Sequence, residues 1–509
     1  MDKSKSNLWF SLGIVGLISA CMSVSQAPVE VVDRGLIIHN VNVVNTRDGS
    51  ITPNRAIVIR DGKIHKITAS ASIRVTGTAQ GVDGLGKYLV PGYLDMHTHA
   101  IFEADKQPSA WPLLIAHGIT GIREMAGSAA LIQRARQVNV ESAAGRLLAP
   151  EILSIPGAIF AGQAPAPAAA TQFVQQQKAD GADFIKVVAG GRASILAILD
   201  EAKAQGLGVA GHLVPSVSAL ESSNAGWKAI EHLGSGWGFL LDCANDEINI
   251  RQALMTGQGA RPPFPPTFTL TPRLYDSSLN APFYQRIFDS YNEAKCQTLA
   301  QAFAKNGTWH VPTLIRLRTM SFSDEPQYRE DPNLQYVDKT ARALWEKLAK
   351  DYSANVPSSA ASTLRQFYSL QLKATELLKE NGVKILSGSD LGGIWVIPGV
   401  SLHQEFAELA AAGLTPLEVL QSTTLNGAEF LGKLASMGTI EAGKHADLVL
   451  LEANPISSVA NLSKISAVVL KGKFLPKEAL EKLKSDTALS LSNQPLKNLS
   501  AALDPNHRH

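Results

Sequence analysis

Past residue 30, apolar residues come in short runs divided by turn residues: Leu36-Ile37-Ile38, Val41-Asn42-Val43-Val44, Ala56-Ile57-Val58-Ile59, then 64–67 and Tyr88-Leu89-Val90-Pro91-Gly92. Asp48-Gly49 and Asp61-Gly62 punctuate them and no helical period runs through, which predicts a β-rich module. From Tyr93 the pattern changes. Apolar runs at 94–96, 119–123, 152–155, 184–188, 209–212, 229–232, 310–314 and 385–389 alternate with Ala-rich stretches of helical spacing. In one of these, 194–204, Ser194 is the expected N-cap ahead of Ile195, Ile198 and Leu199. Eight such alternations predict an α/β chain with a (β/α)₈ barrel over 92–432. The interval 234–309 exceeds one helix, and Arg261-Pro262-Pro263-Phe264-Pro265-Pro266 cannot be helical, so an insertion and candidate lid is expected there. After 432 the β texture returns at 438–440, 446–451 and 467–472. Residues 433–480 are therefore expected to complete a small β-sandwich domain begun by 21–91. The remainder, 481–509, reads as a tail, loose or ending in a helix.

The N-terminus reads as an address. Lys3 and Lys5 precede an apolar stretch of 11 positions, 8–18, well short of the roughly 20 residues that cross a bilayer. It ends Leu17-Ile18-Ser19-Ala20-Cys21, which resembles the lipobox of bacterial lipoproteins. That resemblance implies a signal peptide over 1–20, lipidation of Cys21, and a lipid anchor holding a periplasm-facing body at the cell envelope. Met22 stands where an aspartate would resemble an inner-membrane retention signal, so the outer membrane is expected. The alternative is an ordinary secretory signal with an incidental cysteine. Cys243 and Cys296 remain; an oxidising compartment would let them pair, but their spacing does not establish it.

Composition narrows the functional class. The 509 residues carry Lys+Arg 47 against Asp+Glu 45, and only 18% are charged, against roughly 25% in an average domain. Without a basic surplus no nucleic-acid partner is expected, and so apolar a chain is not a disordered one. Oligomeric state is left open, with a homo-oligomer allowed.

Among the 12 histidines, those at the C-terminal ends of barrel strands matter, because active sites of this fold lie there. His97 and His99 flank Thr98 after the first run, and positions i and i+2 on a strand share a face. Lys186 ends Phe184-Ile185 with further apolar residues behind it, a costly place for an ammonium. His212 ends the fifth run, His232 the sixth and Asp390 the eighth. His39, His65, His445, His507 and His509 are read as structural or solvated, and His117 as a packing residue. His310 and His403 are candidates for supporting the ligands. Arg123 is open between a substrate carboxylate and a buried ion pair.

Pro91-Gly92-Tyr93-Leu94-Asp95-Met96-His97-Thr98-His99, Gly181-Ala182-Asp183-Phe184-Ile185-Lys186, Gly211-His212, Glu231-His232, Ser387-Gly388-Ser389-Asp390 and the later Gly443-Lys444-His445-Ala446-Asp447-Leu448-Val449-Leu450 together resemble the amidohydrolase superfamily. The likeness is to its imidazolonepropionase-like, Xaa-Pro dipeptidase-like branch. It implies two divalent cations, zinc first among them, bridged by a CO₂-derived carboxylate on Lys186. His97, His99 and Asp390 would hold one cation with Lys186, and His212 and His232 the other. A hydroxide between them would attack an amide bond of a dipeptide or N-acyl amino acid, with Asp390 as proton shuttle. A cyclic amide, lactone or other ester is an alternative substrate. A mononuclear deaminase is another reading, but that site lacks a bridging lysine and has a glutamate soon after the strand-5 histidine, whereas here none follows His212 before Glu221. A non-catalytic metal-binding lipoprotein is a third. Two departures affect substrate contacts: 157–162 carries no histidine, and Leu213-Val214-Pro215 stand where some members place a tyrosine.

Overall fold

The structure is a computed structural model describing residues 29–101, 110–233, 238–259 and 278–496. The 1–20 segment, Cys21, the 261–266 proline run, His507 and His509 lie outside these residues.

Seven parallel strands build most of the barrel: Tyr93–Thr98, Ile119–Glu124, Glu151–Ser154, Phe184–Ala189, Gly208–Gly211, Trp227–Glu231 and Trp309–Val311. All six residues of Tyr93–Thr98 are buried, as expected of a strand covered on both faces. Leu94, Met96, Leu153, Phe184, Ala210, Ala229, Trp309, Val311 and Leu386 fill the lumen. A short strand that the sequence pattern did not signal, Phe160–Ala161, pairs with strand 4.

The eighth run differs from expectation. Residues 385–391 form no regular strand; they close the ring through single bridges, His310 to Ile385 on one side and Thr98 to Leu391 on the other. Side chains take over from the ladder. Asp95 accepts from the Ser389 amide at 3.0 Å and from its hydroxyl at 2.5 Å, and Ser387 Oγ lies 2.5 Å from Ser422 Oγ. Gly388 permits the close approach, since a Cβ there would lie 2.6 Å from that of His97.

The helix containing Ser194 also starts earlier than expected. It spans Arg192–Ala204 with Gly191 as N-cap, and the Ser194 hydroxyl instead donates to the Pro165 carbonyl at 2.6 Å. Within 234–309 lie helices Glu247–Met255, Ala281–Asp289 and Glu293–Asn306, and a Cys243–Cys296 disulfide ties the approach to the first of them to the last.

The two chain ends meet in one sheet. Leu36–Val44, Ile51–Arg60, Lys63–Ala69, Gln80–Asp83 and Tyr88–Pro91 come from the N-terminal side, and Leu448–Leu451, Ile465–Leu470 and Lys473–Pro476 from the C-terminal side. The seam is antiparallel, Tyr88–Pro91 against Leu448–Leu451. The sheet coils around Leu36, Ile38, Ile57, Ile64, Leu89, Leu448, Leu450 and Val469. Its far edge returns to the seam, where Ile64 N donates to Lys444 O at 2.8 Å. Residues 438–440, expected as a strand, form a turn whose Gly438 carbonyl accepts from the Thr46 hydroxyl at 2.8 Å. Helix Lys477–Ser492 runs across the expected tail boundary at 481 and packs Leu480 and Leu483 with Ile115 and Ala116. Among the described residues no helix is long and apolar enough to cross a membrane.

Candidate metal centre

Strand 1 delivers His97 and His99 to the C-terminal mouth of the barrel, and the 385–391 segment delivers Asp390 opposite them. Asp390 Oδ1 lies 3.3 Å from His97 Nε2 and 3.1 Å from His99 Nε2. The turn that aims it has left-handed backbone at Asp390 (φ 52°), a conformation aspartate tolerates better than most residues. His232 ends strand 6 with φ 63°, and its ring centre is 4.6 Å from that of His97 and 4.9 Å from that of His212. Ligand atoms of His97, His232 and Asp390 lie within 4.8 Å of one another. Lys186 pairs in register with Ala210 of strand 5, two residues before His212, and its side chain is within electrostatic range of Asp390 and Glu231. The six residues singled out in the sequence therefore converge on one buried site.

Burial dominates its electrostatics. It pushes the Lys186 amine down to about 8, against the pull of Glu231 and Asp390 and helped by Arg123. Burial, with Lys186 and His97 nearby, pushes His212 down to about 3, and it also lowers His99 and His232. These imidazoles are neutral at pH 7 and free to offer lone pairs. Burial alone would raise the Asp390 carboxyl, but His97, His99 and His232 outweigh it and hold the group well below the ordinary aspartate value. Neutral imidazoles around an ionised carboxylate and a deprotonatable amine form a donor set that fits a divalent cation of the zinc type.

Behind these residues stands a ring that the sequence reading did not assign. The His97 Nδ1 hydrogen is donated to Glu231 Oε2 at 2.7 Å. Burial on its own would raise the Glu231 carboxyl; Arg123 and His97 overcome that and hold it at about 2. Arg123 is ion-paired with Glu231 and donates to the Met96 carbonyl at 3.2 Å. Its guanidinium centre lies 5.0 Å from the Phe184 ring and 4.9 Å from the Phe430 ring. Arg123 is thus the buried ion pair, not the anchor of a substrate carboxylate. Thr313 meets His232 Nδ1, and Arg316 Nε lies 3.3 Å from Asp390 Oδ2. Thr313 and Arg316 follow strand 7, which supplies no histidine to the site, so nothing in the sequence pointed to them. Glu231 was visible only as the neighbour of His232.

The other histidines lie apart from the six. His403 donates to the His117 carbonyl at 2.9 Å and packs against Tyr93 and Phe406, so it does not support the ligands. His310 is buried on strand 7 with its ring against Phe239. His39 pairs with Asp83 at 3.8 Å, and His65 is exposed.

Residues 337–475, which include Asp390 and the returning sheet strands, match the model of the Amidohydrolase family. Over that stretch the chain is similar to the amidohydrolases. A stretch of 65 residues is 37% identical to imidazolonepropionase of Shouchella clausii, covering 12% of this chain and 14% of that protein. The curated relatives are matched only in such stretches, the chain spanning at most 22% of their length. The fold likeness is far broader. The structure of a bottromycin amidohydrolase superposes with a TM-score of 0.67 at 21% identity, over 92% of this chain and 93% of that one. A Xaa-Pro dipeptidase with bound methionine in its active site gives 0.57 at 18% identity, over 87% and 99%. At these identities the likeness is one of fold, and it extends over most of both chains.

Proposed function

We propose that this chain is a metal-dependent amidohydrolase that cleaves an amide, peptide-like C–N bond in a dipeptide or N-acyl amino acid. The observation that carries the reading is the convergence of four histidines, a buried lysine and an aspartate on one site at the catalytic end of the barrel. His97, His99 and Asp390 would hold one divalent cation and His212 and His232 a second, with Lys186 shared. Burial favours the neutral Lys186 amine, which can add CO₂ and become a bridging carbamate, turning a costly cation into an anionic ligand. Two bound cations, zinc first among them, would supply a water acidic enough to be deprotonated at neutral pH and would polarise the scissile carbonyl. Asp390 would take the proton of the attacking water. As the new C–O bond forms and the C–N bond breaks, Asp390 returns that proton to the departing amine. Glu231 and Thr313 orient histidines, and Arg316 holds the second Asp390 oxygen.

The same chemistry would open a cyclic amide, lactone or ester. The deaminase reading loses ground because Lys186 sits in the site and no glutamate follows His212 closely. A screen of dipeptides and N-acyl amino acids on metal-loaded protein tests the proposal. Wild type should hydrolyse at least one class, and Asp390→Asn should lose at least 100-fold in kcat, at the low end of what a positioned acid–base group contributes. Undiminished hydrolysis by Asp390→Asn would remove the proposed shuttle.

A further inference from the structure

Backbone strain concentrates around this site. Three non-glycine residues with positive φ, His232 at 63°, Thr313 at 46° and Asp390 at 52°, lie within it, and Thr313 is the least expected because a β-branched side chain is disfavoured there. Thr313 is fully buried. It sits two residues past strand 7, as the N-cap of helix Leu314–Ser321, yet its hydroxyl caps nothing in that helix. Glu405 accepts the Ile315 amide instead, at 2.7 Å. The Thr313 hydroxyl makes two other contacts: the Pro312 carbonyl at 2.8 Å and His232 Nδ1.

These two contacts leave one consistent arrangement of hydrogens. A carbonyl oxygen only accepts, and a threonine hydroxyl has one hydrogen to give. If that hydrogen went to His232, two oxygens would face each other at 2.8 Å with nothing between them. If it goes to Pro312, the hydroxyl must accept from His232, so Nδ1 carries the imidazole hydrogen and Nε2 keeps its lone pair.

We infer that Thr313 is a positioning residue that dictates the His232 tautomer and so prepares Nε2 as a metal ligand. The inference rests on the proposed reading of the site as a metal centre. It gives the strained turn after strand 7 a task, since the left-handed backbone turns the hydroxyl back onto its own preceding carbonyl. Strand 7 thereby governs a histidine on strand 6 while contributing no histidine itself. His97 reaches the same state by donating from Nδ1 to the Glu231 carboxylate, so two histidines on different strands are fixed in one tautomer by chemically unlike partners. An outer hydrogen bond of this kind is worth roughly 10–100-fold in metal affinity.

The test compares Thr313→Val, which keeps the β-branch but removes the hydroxyl, with Thr313→Ser, which keeps the hydroxyl. Zinc affinity is read by chelator competition on the full chain, and the His232 tautomer by ¹⁵N-histidine NMR of the metal-stripped chain. Wild type and Thr313→Ser should show the Nδ1–H form. Thr313→Val should lose that preference and bind its weaker zinc about 10–100-fold less tightly, while Thr313→Ser binds it as wild type does. An Nε2–H form in wild type, or Thr313→Val binding zinc as tightly as wild type, would overturn the inference. A wild type that takes up no zinc would instead defeat the metal reading of the site, and the NMR comparison would still decide the tautomer.

Discussion

At the scale of single residues, two of the site's imidazoles, His97 and His232, have their second nitrogens already engaged, by Glu231 and Thr313. That outer layer explains why one part of the site was legible in the sequence and another was not. His97, His99, His212, His232 and Asp390 stand at or just past the ends of apolar runs and Lys186 interrupts one, so the strand pattern points them toward one end of the barrel. Glu231, Thr313 and Arg316 act through contacts 134, 81 and 74 positions away in sequence, and no local pattern encodes such partnerships. Arg123 illustrates the limit, because its two candidate roles have the same sequence signature and only the Glu231 contact separates them. The pair also makes a prediction. Arg123→Met fills similar volume but leaves the Glu231 carboxylate buried with its cation gone, a change that typically costs about 3–5 kcal/mol. Urea denaturation of the metal-stripped protein should show a loss of that size; a loss under about 1 kcal/mol would mean that Arg123 does not brace this carboxylate.

At the scale of elements, the strands read most easily where a ladder holds them. The 385–391 segment shows the opposite case: its apolar run was visible, but its bonds go to Asp95 and Ser422 side chains, so a strand was expected where an irregular closure stands. Ser194 was likewise misplaced as a cap because a serine ahead of a helical pattern looks the same whether it caps the helix or bonds a neighbouring loop. Helix Leu314–Ser321 depends on a cap from another helix. Glu405, on Val400–Ala411, supplies it as a fully buried carboxyl with Oε1 unpartnered. Burial raises that carboxyl well above 4.5, Glu408 and Asp95 add to the rise, and the Ile315 and Leu314 amides oppose it. A group whose folded pKa is raised loses stability as pH climbs from its unfolded value through the folded one. Glu405→Gln keeps an oxygen for Ile315 and removes that dependence. Melting curves at pH 5 and pH 8 should show the variant gaining on wild type toward pH 8; a variant that falls further behind at pH 8 would contradict the assignment.

At the scale of the whole molecule, the low charge content follows from the architecture. Barrel strands are covered on both faces and the coiled sheet closes around its own apolar core, so few positions need charges. Both chain ends reach that sheet, and the Tyr93 hydroxyl at the base of strand 1 donates to the Leu462 carbonyl at 2.8 Å, tying the module to the strand that carries His97 and His99. The Cys243–Cys296 bond is in keeping with an oxidising compartment, and we propose that the chain is exported and held at the outer membrane through a lipid on Cys21. Fatty-acid labelling in a bacterial host should mark wild type and not Cys21→Ser, and the latter should leave the membrane fraction; equal labelling of both would remove the anchor. The proposed chemistry turns on a pair of cations bridged through Lys186. Elemental analysis of purified, active protein decides it: close to two divalent metal ions per chain are expected, falling when Lys186 is replaced by Ala, and a firm value of one with full activity would rule the pair out.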